Sequence, residues 1–283
     1  MFKLHHVLYD PCMSSLQEYR TFLRELVEVA MLRASIPVNE QEIERKPDTT
    51  YVTSTDKAIQ QTLLDAIHTK YPEHAVIGEE SESERARNAA PVPTASARYC
   101  WVIDPLDGTR NYVSGLPCFS TSIALLEDGV PVLAAIGEPN LQRVFFAEKG
   151  KGADRNDRRM AARDPHLDRS ALVGLTTNRD PQSIQFLENW AREGGFILRN
   201  LGSTAYHMAL VADGALHGCA SRKCKIWDIA AGVLLIEEAG GHATHEDGRP
   251  LVPFDLAADP EDNIPVIAGA PQTHERLIKL RGA

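Results

Sequence analysis

"WVIDPLDGTRNY", residues 101–112, decides how this chain is read. An apolar run from Trp101 to Ile103 ends in two aspartates, Asp104 and Asp107. Pro105 and Leu106 lie between them and Gly108-Thr109 follow directly. Two carboxylates about 4 Å apart repel by roughly 4 kcal/mol at an effective dielectric near 20. A strand end that gathers such groups needs a proton or a cation to neutralise them. Pro105 stiffens the backbone between the two acids and helps aim both carboxylates and the Leu106 carbonyl. Rigid oxygen ligands suit Mg²⁺, which demands near-octahedral geometry. Gly108 lets the backbone approach a ligand closely. Thr109 adds a hydroxyl, and the successive N–H groups here can cradle a phosphate. An Asx-type turn uses the same residue types, so the stretch alone leaves both readings open.

Two other places in the chain carry acids in similar settings. Glu79 and Glu80 follow the apolar "AVIG", and Asp228 follows Trp227 at the start of an apolar helical pattern. Each has an ordinary use: a solvated loop acid for Glu79, a helix N-cap for Asp228. Their recurrence in this order is what favours a shared site.

Working outward, "SLQEYRTFLRELVEVAMLRAS" (15–35) and "TDKAIQQTLLDAIHTKYP" (55–72) have apolar residues at helical spacing, the second stopped by Pro72. "AVIGEE" and "YCWVID" read as strands, and 81–98 reads as a polar, then Ala/Pro/Ser-rich, exposed loop. "STSIALLEDGVPVLAAIGEP" reads as two strands joined at Asp128-Gly129, with "RVFFAEKG" as a third. The charged 154–169 is the best candidate for a connection between two halves, 1–153 and 154–283. Beyond it come a strand in "ALVGLTT", helices in "QSIQFLENWAREGG", "GSTAYHMALVADG" and "WDIAAGVLLIEEAGG", a strand in "IPVIAGAP" and a last helix. Mixed strands and helices indicate an α/β or α+β protein.

The chain has 283 residues with 39 acidic against 30 basic side chains, a formal net charge of -9. An acidic chain without a long basic run argues against nucleic-acid binding. No run reaches the roughly 18 apolar residues of a membrane span, and no secretory signal is evident. Five cysteines, an odd number with no C-x-x-C, point away from a disulfide framework and toward a reducing cytoplasm. Cys219 and Cys224 lack His or Cys partners at zinc spacing.

The combination of "IGEES" (77–81), "WVIDPLDGTRNYVSGLP" (101–117) and "WDIAAGVLLIEEAGG" (227–241) resembles the three signature motifs of the inositol monophosphatase family, within the Mg²⁺-dependent, lithium-sensitive phosphatases. "KPDTTYVTSTD" (46–56) resembles the family's upstream segment ending in a catalytic aspartate, and the resemblance runs from about residue 15 to the C-terminus. It implies a layered α-β-α-β-α sandwich, a homodimer, and an active site between the two halves. It implies two to three Mg²⁺ ions: one on Glu79, Asp104 and the Leu106 carbonyl, a second on Asp104, Asp107 and Asp228, and a third sharing Glu79. It also implies hydrolysis of a small phosphate monoester by a water that the metal activates. Thr109, paired with Asp56, would orient that water, with Glu79 assisting; Gly108 and Thr109 would bind the phosphate.

Substrate contacts are implied at Asp107, Gly108, Thr109, Ser203, Thr204 and Asp228, more weakly at Thr177 and Asn178. Lys46 resembles a family lysine near the metal loop, Asp213 is a candidate for the pocket edge or a helix end, and His207 reads as packing or surface. One departure matters. Inositol-type members carry a glutamate seven residues before the helix-start aspartate, and this chain has Ser221 there, followed by the basic Arg222, Lys223 and Lys225. These, or Arg110, could meet a second phosphate. Sugar bisphosphates, 3'-phosphonucleotides and histidinol phosphate are therefore alternative substrates, and a non-catalytic regulatory protein is the remaining alternative.

Overall fold

The computed structural model describes residues 11–37, 43–45, 51–79, 97–165, 170–176 and 181–282. In chain order, α1 (Pro11–Ala34) precedes a two-stranded ribbon, β1 (Ile43–Arg45) and β2 (Tyr51–Thr53), which leads into α2 (Ser54–Lys70). A large sheet follows from β3 (Ala75–Gly78), β4 (Tyr99–Asp107), the short helix α3 (Thr109–Val113), β5 (Ser120–Glu127), β6 (Val130–Glu138), β7 (Arg143–Glu148), β8 (Gly152–Arg155) and β9 (Arg158–Arg159). Then come β10 (Leu172–Thr176), α4 (Pro181–Arg192), β11 (Ile197–Arg199), α5 (Thr204–Ala212), β12 (Gly218–Ser221), α6 (Ile226–Glu238), β13 (His242–His245), β14 (Val266–Gly269) and α7 (Pro271–Lys279).

The seven strands β3 to β9 lie in sequence order, and the smaller sheet has the order β11-β10-β12-β14-β13. β3 and β4 run parallel, while every later pair in the large sheet is antiparallel. "YCWVI" reads as an unbroken apolar run because β4 is buried on both faces. Trp101 and Ile103 pack with α1 and α2 through Leu23, Ile59 and Leu63. Cys100 and Val102 face the opposite way, toward α5 and α6. That middle helical layer also packs Cys219, Val266 and Ala268 of the smaller sheet. The far face of the smaller sheet meets α4 and α7 through Val173, Leu175, Trp190, Ile267 and Leu277. The layers are helix, sheet, helix, sheet, helix, as the resemblance implied.

The start of the charged 154–169 segment is strand, not connection: β8 and β9 form a hairpin that extends the large sheet past residue 153. Asn156 and Asp157 turn it with positive φ, which Asn and Asp tolerate better than most residues. Most of 81–98 lies outside the described residues.

Candidate active site

The last two residues before the acid cluster fix its position. Gly78 of β3 pairs with Ile103 of β4 in parallel register, so Glu79 and Asp104 leave the sheet side by side. Asp104 and Asp107 are three apart, and in a regular strand residues at odd spacing point to opposite faces. Here Asp104 pairs with Ser122 and Asp107 with Ser120, so Pro105 and Leu106 together oppose Thr121 in a β-bulge. The extra residue turns Asp107 to the side of Asp104. Pro105 suits the bulge because it has no N–H to leave unpaired, and its carbonyl accepts from Thr121 Oγ1 at 2.9 Å.

Asp228 arrives from the first turn of α6, the middle helical layer. It is not the N-cap: it sits at the third helical position and reaches back to accept the Lys225 N–H at 2.6 Å. Asp56 has the same place in α2, capped by Thr53, whose N–H donates to Asp56 Oδ2 at 2.9 Å and whose hydroxyl donates to the same oxygen. One oxygen from each of Asp104, Asp107 and Asp228 lies within 4.8 Å of the other two.

Each of these three carboxylates is fastened through one oxygen. Leu106 N–H donates to Asp104 Oδ1 at 2.9 Å. Ser203 Oγ and Ala205 N–H donate to Asp107 Oδ2 at 2.7 and 2.6 Å. No lysine or arginine forms an ion pair with them among the described residues. Burial pushes Asp104 well above the ordinary carboxylate range, and Glu79, Asp107 and Asp228 push it further. Burial likewise raises Asp228, with Asp107 adding to it. Asp107 is pushed up by burial to about 6, against the pull of its Ser203 and backbone donors. The donor set is all oxygen and all acid, which fits a hard divalent cation.

The acids open into a cleft of about 480 Å³ lined by Glu79, Asp104, Leu106, Asp107, Gly108, Thr109 and Asp228 on one side. Tyr51, Arg110, Asn111, Thr176 and Asn200 to Gly202 line the rest. Gly108 takes φ 96° and starts α3. A Cβ there would also lie 3.0 Å from the Cys118 carbonyl and 3.2 Å from Ser203, so glycine is required twice over. Thr109 Oγ1 lies 3.2 Å from Asp56 Oδ1 and 3.1 Å from the Leu106 carbonyl.

Asp56, Glu79, Asp104, Leu106, Asp107, Gly108, Thr109 and Asp228 are thus brought together. Ser203 and Thr204 stand behind the cleft wall. Ser203 caps α5 and holds Asp107, while Thr204 Oγ1 lies 3.3 Å from both Ser221 Oγ and Thr176 Oγ1. Arg110 reaches the cleft. Of the other basic candidates, Arg222 turns to Glu246 and the Phe186 ring and Lys225 to Glu261, while Lys223 is exposed and does not line the cleft. Asp213 ends α5 and pairs with Arg155. Cys219 and Cys224 are buried free thiols, and Cys224 Sγ sits 2.9 Å from the Ile264 carbonyl. Lys46, Glu80, Thr177 and Asn178 lie outside the described residues. Sequence reasoning missed Asn111, Thr176 and the 200–202 loop; only position near a strand or helix end could have flagged them.

The model of the inositol monophosphatase family matches residues 15–283. An inositol monophosphatase from Dictyostelium discoideum is 34% identical over 246 residues, covering 85% of each chain. A fructose-1,6-bisphosphatase/inositol-1-monophosphatase from Aquifex aeolicus is 28% identical, covering 86% of each. The solved inositol monophosphatase from Anabaena superposes with a TM-score of 0.74 at 29% identity, covering 94% of this chain and 96% of that one.

Proposed function

We propose that this chain, which belongs to the inositol monophosphatase family and is a phosphatase by that membership, hydrolyses a small phosphate monoester of the inositol-1-phosphate type with Mg²⁺. The observation that carries the reading is the trio of carboxylates, Asp104 buried and Asp107 and Asp228 half-buried, oxygens within 4.8 Å, whose charged neighbours are acids. Glu79, Asp104 and the Leu106 carbonyl would hold one ion, Asp104, Asp107 and Asp228 a second, and Glu79 would share a third. When bound, the ions supply the positive charge that stabilises the attacking and leaving oxygens of an in-line displacement.

The chain's own groups do the rest. The first N–H groups of a helix have no intrahelical partner, so those of Gly108 and Thr109 are placed to orient phosphoryl oxygens. Asp56 is fully buried, with Oδ2 occupied by Thr53 and Oδ1 turned to the Thr109 hydroxyl. The pair can take the proton that the attacking water gives up as its oxygen bonds to phosphorus and the ester P–O bond breaks. Glu79, half-buried at the cleft edge, assists in orienting that water. Ser203 and Thr204 act from behind, Ser203 by fixing Asp107. The cleft would separate a half spanning 1–153 from a half spanning 154–283 that carries Asp228. A homodimer in a reducing cytoplasm is the setting we propose, the latter supported by the free thiols of Cys100, Cys118, Cys219 and Cys224.

A second reading, a sugar bisphosphate or other doubly anionic ester, is favoured by Arg110, the one cation among the described cleft-lining residues. Phosphate release with Mg²⁺ from inositol 1-phosphate, fructose 1,6-bisphosphate, a 3'-phosphonucleotide and histidinol phosphate, side by side, decides between them. Preference for inositol 1-phosphate supports the first reading. Preference for a bisphosphate that Arg110→Ala weakens about tenfold supports the second, since charged hydrogen bonds are worth about 1.5–3 kcal/mol. Silence on all of them would overturn both.

A further inference from the structure

The cleft wall away from the acids is built from two separate pieces of chain. Thr176 ends β10, and Asn200, Leu201 and Gly202 form the loop that enters α5. The two pieces leave the β10–β11 ladder as neighbours, its last pair being Gly174 and Arg199, and beyond it side-chain contacts hold their ends together. His207, one turn into α5, touches both. Its Nε2 accepts the Leu201 N–H at 3.0 Å, and its Nδ1 lies 3.4 Å from Thr176 Oγ1. The first bond fixes the tautomer: Nε2 must keep its lone pair, so Nδ1 carries the hydrogen and faces the threonine. The ring is 1% exposed. Burial pushes its pKa down to about 4, which keeps it neutral and able to accept.

The surroundings are shaped to this ring. A Cβ on Gly174, two residues before Thr176, would lie 2.8 Å from His207 Cδ2. Glycine in β10 is what admits the imidazole. The loop is fastened on its other side as well, because Asn111 Nδ2 donates to the Leu201 carbonyl at 2.6 Å. Both polar atoms of the Leu201 peptide are therefore committed, one to His207 and one to a residue of α3.

We propose that His207 is a positioning residue: it joins the Leu201 peptide to the Thr176 hydroxyl and so sets the shape of the leaving-group side of the cleft without touching substrate. The inference rests on the phosphatase reading above and adds to it where discrimination between esters is controlled.

The test uses the full chain with Mg²⁺ and the ester that the wild type turns over best, with inorganic phosphate as a competing ligand of the acid side. His207→Leu keeps the volume but leaves the Leu201 N–H unpaired. Its KM is expected to rise about tenfold with kcat within about twofold, while inhibition by inorganic phosphate is unchanged. His207→Gln offers an acceptor oxygen in place of Nε2 and is expected to restore KM to within about threefold of wild type. Gly174→Ala drives the ring away and is expected to reproduce the KM rise with His207 intact, so a His207→Leu protein that fails to fold does not end the test. A KM that stays at the wild-type value in both His207→Leu and Gly174→Ala overturns the proposal. So does a Gln variant as impaired as Leu, or phosphate inhibition that weakens in step with KM. A wild type inactive on every ester sinks the phosphatase reading and this inference with it; an active wild type with indifferent variants sinks this inference alone.

Discussion

Glu138 and Asp104 are equally buried, each 1% exposed, on strands of the same sheet. Glu138 accepts from Arg143 Nε at 2.9 Å and from the Leu141 N–H at 3.2 Å. Its charge is met within the fold. Asp104 accepts one backbone N–H and otherwise faces Glu79, Asp107 and Asp228. Asp213, paired with Arg155, resembles Glu138 rather than Asp104. The difference separates two uses of a buried acid. One with its own arginine is finished structure; one surrounded by acids needs a proton or a cation from outside.

The contrast can be broken most sharply at Asp104. Asp104→Asn removes a charge that the fold alone does not balance. Turnover should fall by more than about 100-fold, beyond what loss of a supporting contact costs, while the melting temperature in chelator should hold or rise. Asp104→Asn that melts well below wild type without metal would erase the distinction. Glu138→Ala should do the reverse. Stranding Arg143 should cost about 3 kcal/mol or more in urea unfolding, with kcat per folded molecule within about twofold. A smaller effect should appear in pH dependence. Asp107 is held at about 6 against an ordinary 3.8, and Asp104 and Asp228 are raised too. The metal-free fold therefore binds more protons than the unfolded chain between those values, so its stability is greatest below them and falls as pH rises through about 6. Mg²⁺ competes with those protons. The melting-temperature gain on adding Mg²⁺ should be larger at about pH 7.5 than at about pH 5. An equal gain at both would mean the acids are not protonated in the metal-free protein.

Much of this was legible in the sequence. The long amphipathic helices announced themselves by spacing, the acids at 79, 104 and 107 by standing where apolar segments end, and Asp228 by standing where one begins. What was not legible depends on partners distant in sequence. The bulge that brings Asp107 beside Asp104 is a property of the pairing with β5, not of "DPLD" itself. Pro105 suggested stiffness, and its contribution proved to be that it lacks a donor. β1, β2, β11 and β12 are three or four residues long, too short for periodicity to show. Ser203 looked like a substrate contact and is spent on Asp107. His207 read as packing or surface because nothing in a helical pattern tells which distant loop a buried ring will meet.

The bulge in β4 also makes the site a counting device. Substitution at Leu106 keeps the backbone carbonyl, although it disturbs the core into which that side chain is sunk. A one-residue deletion between Asp104 and Asp107 is different in kind. It removes the bulge: alternation alone would still keep both acids on one face, but the two-residue segment that carries the Leu106 carbonyl beside the Thr109 hydroxyl is shortened. The stretch is therefore constrained in length as well as in its acids.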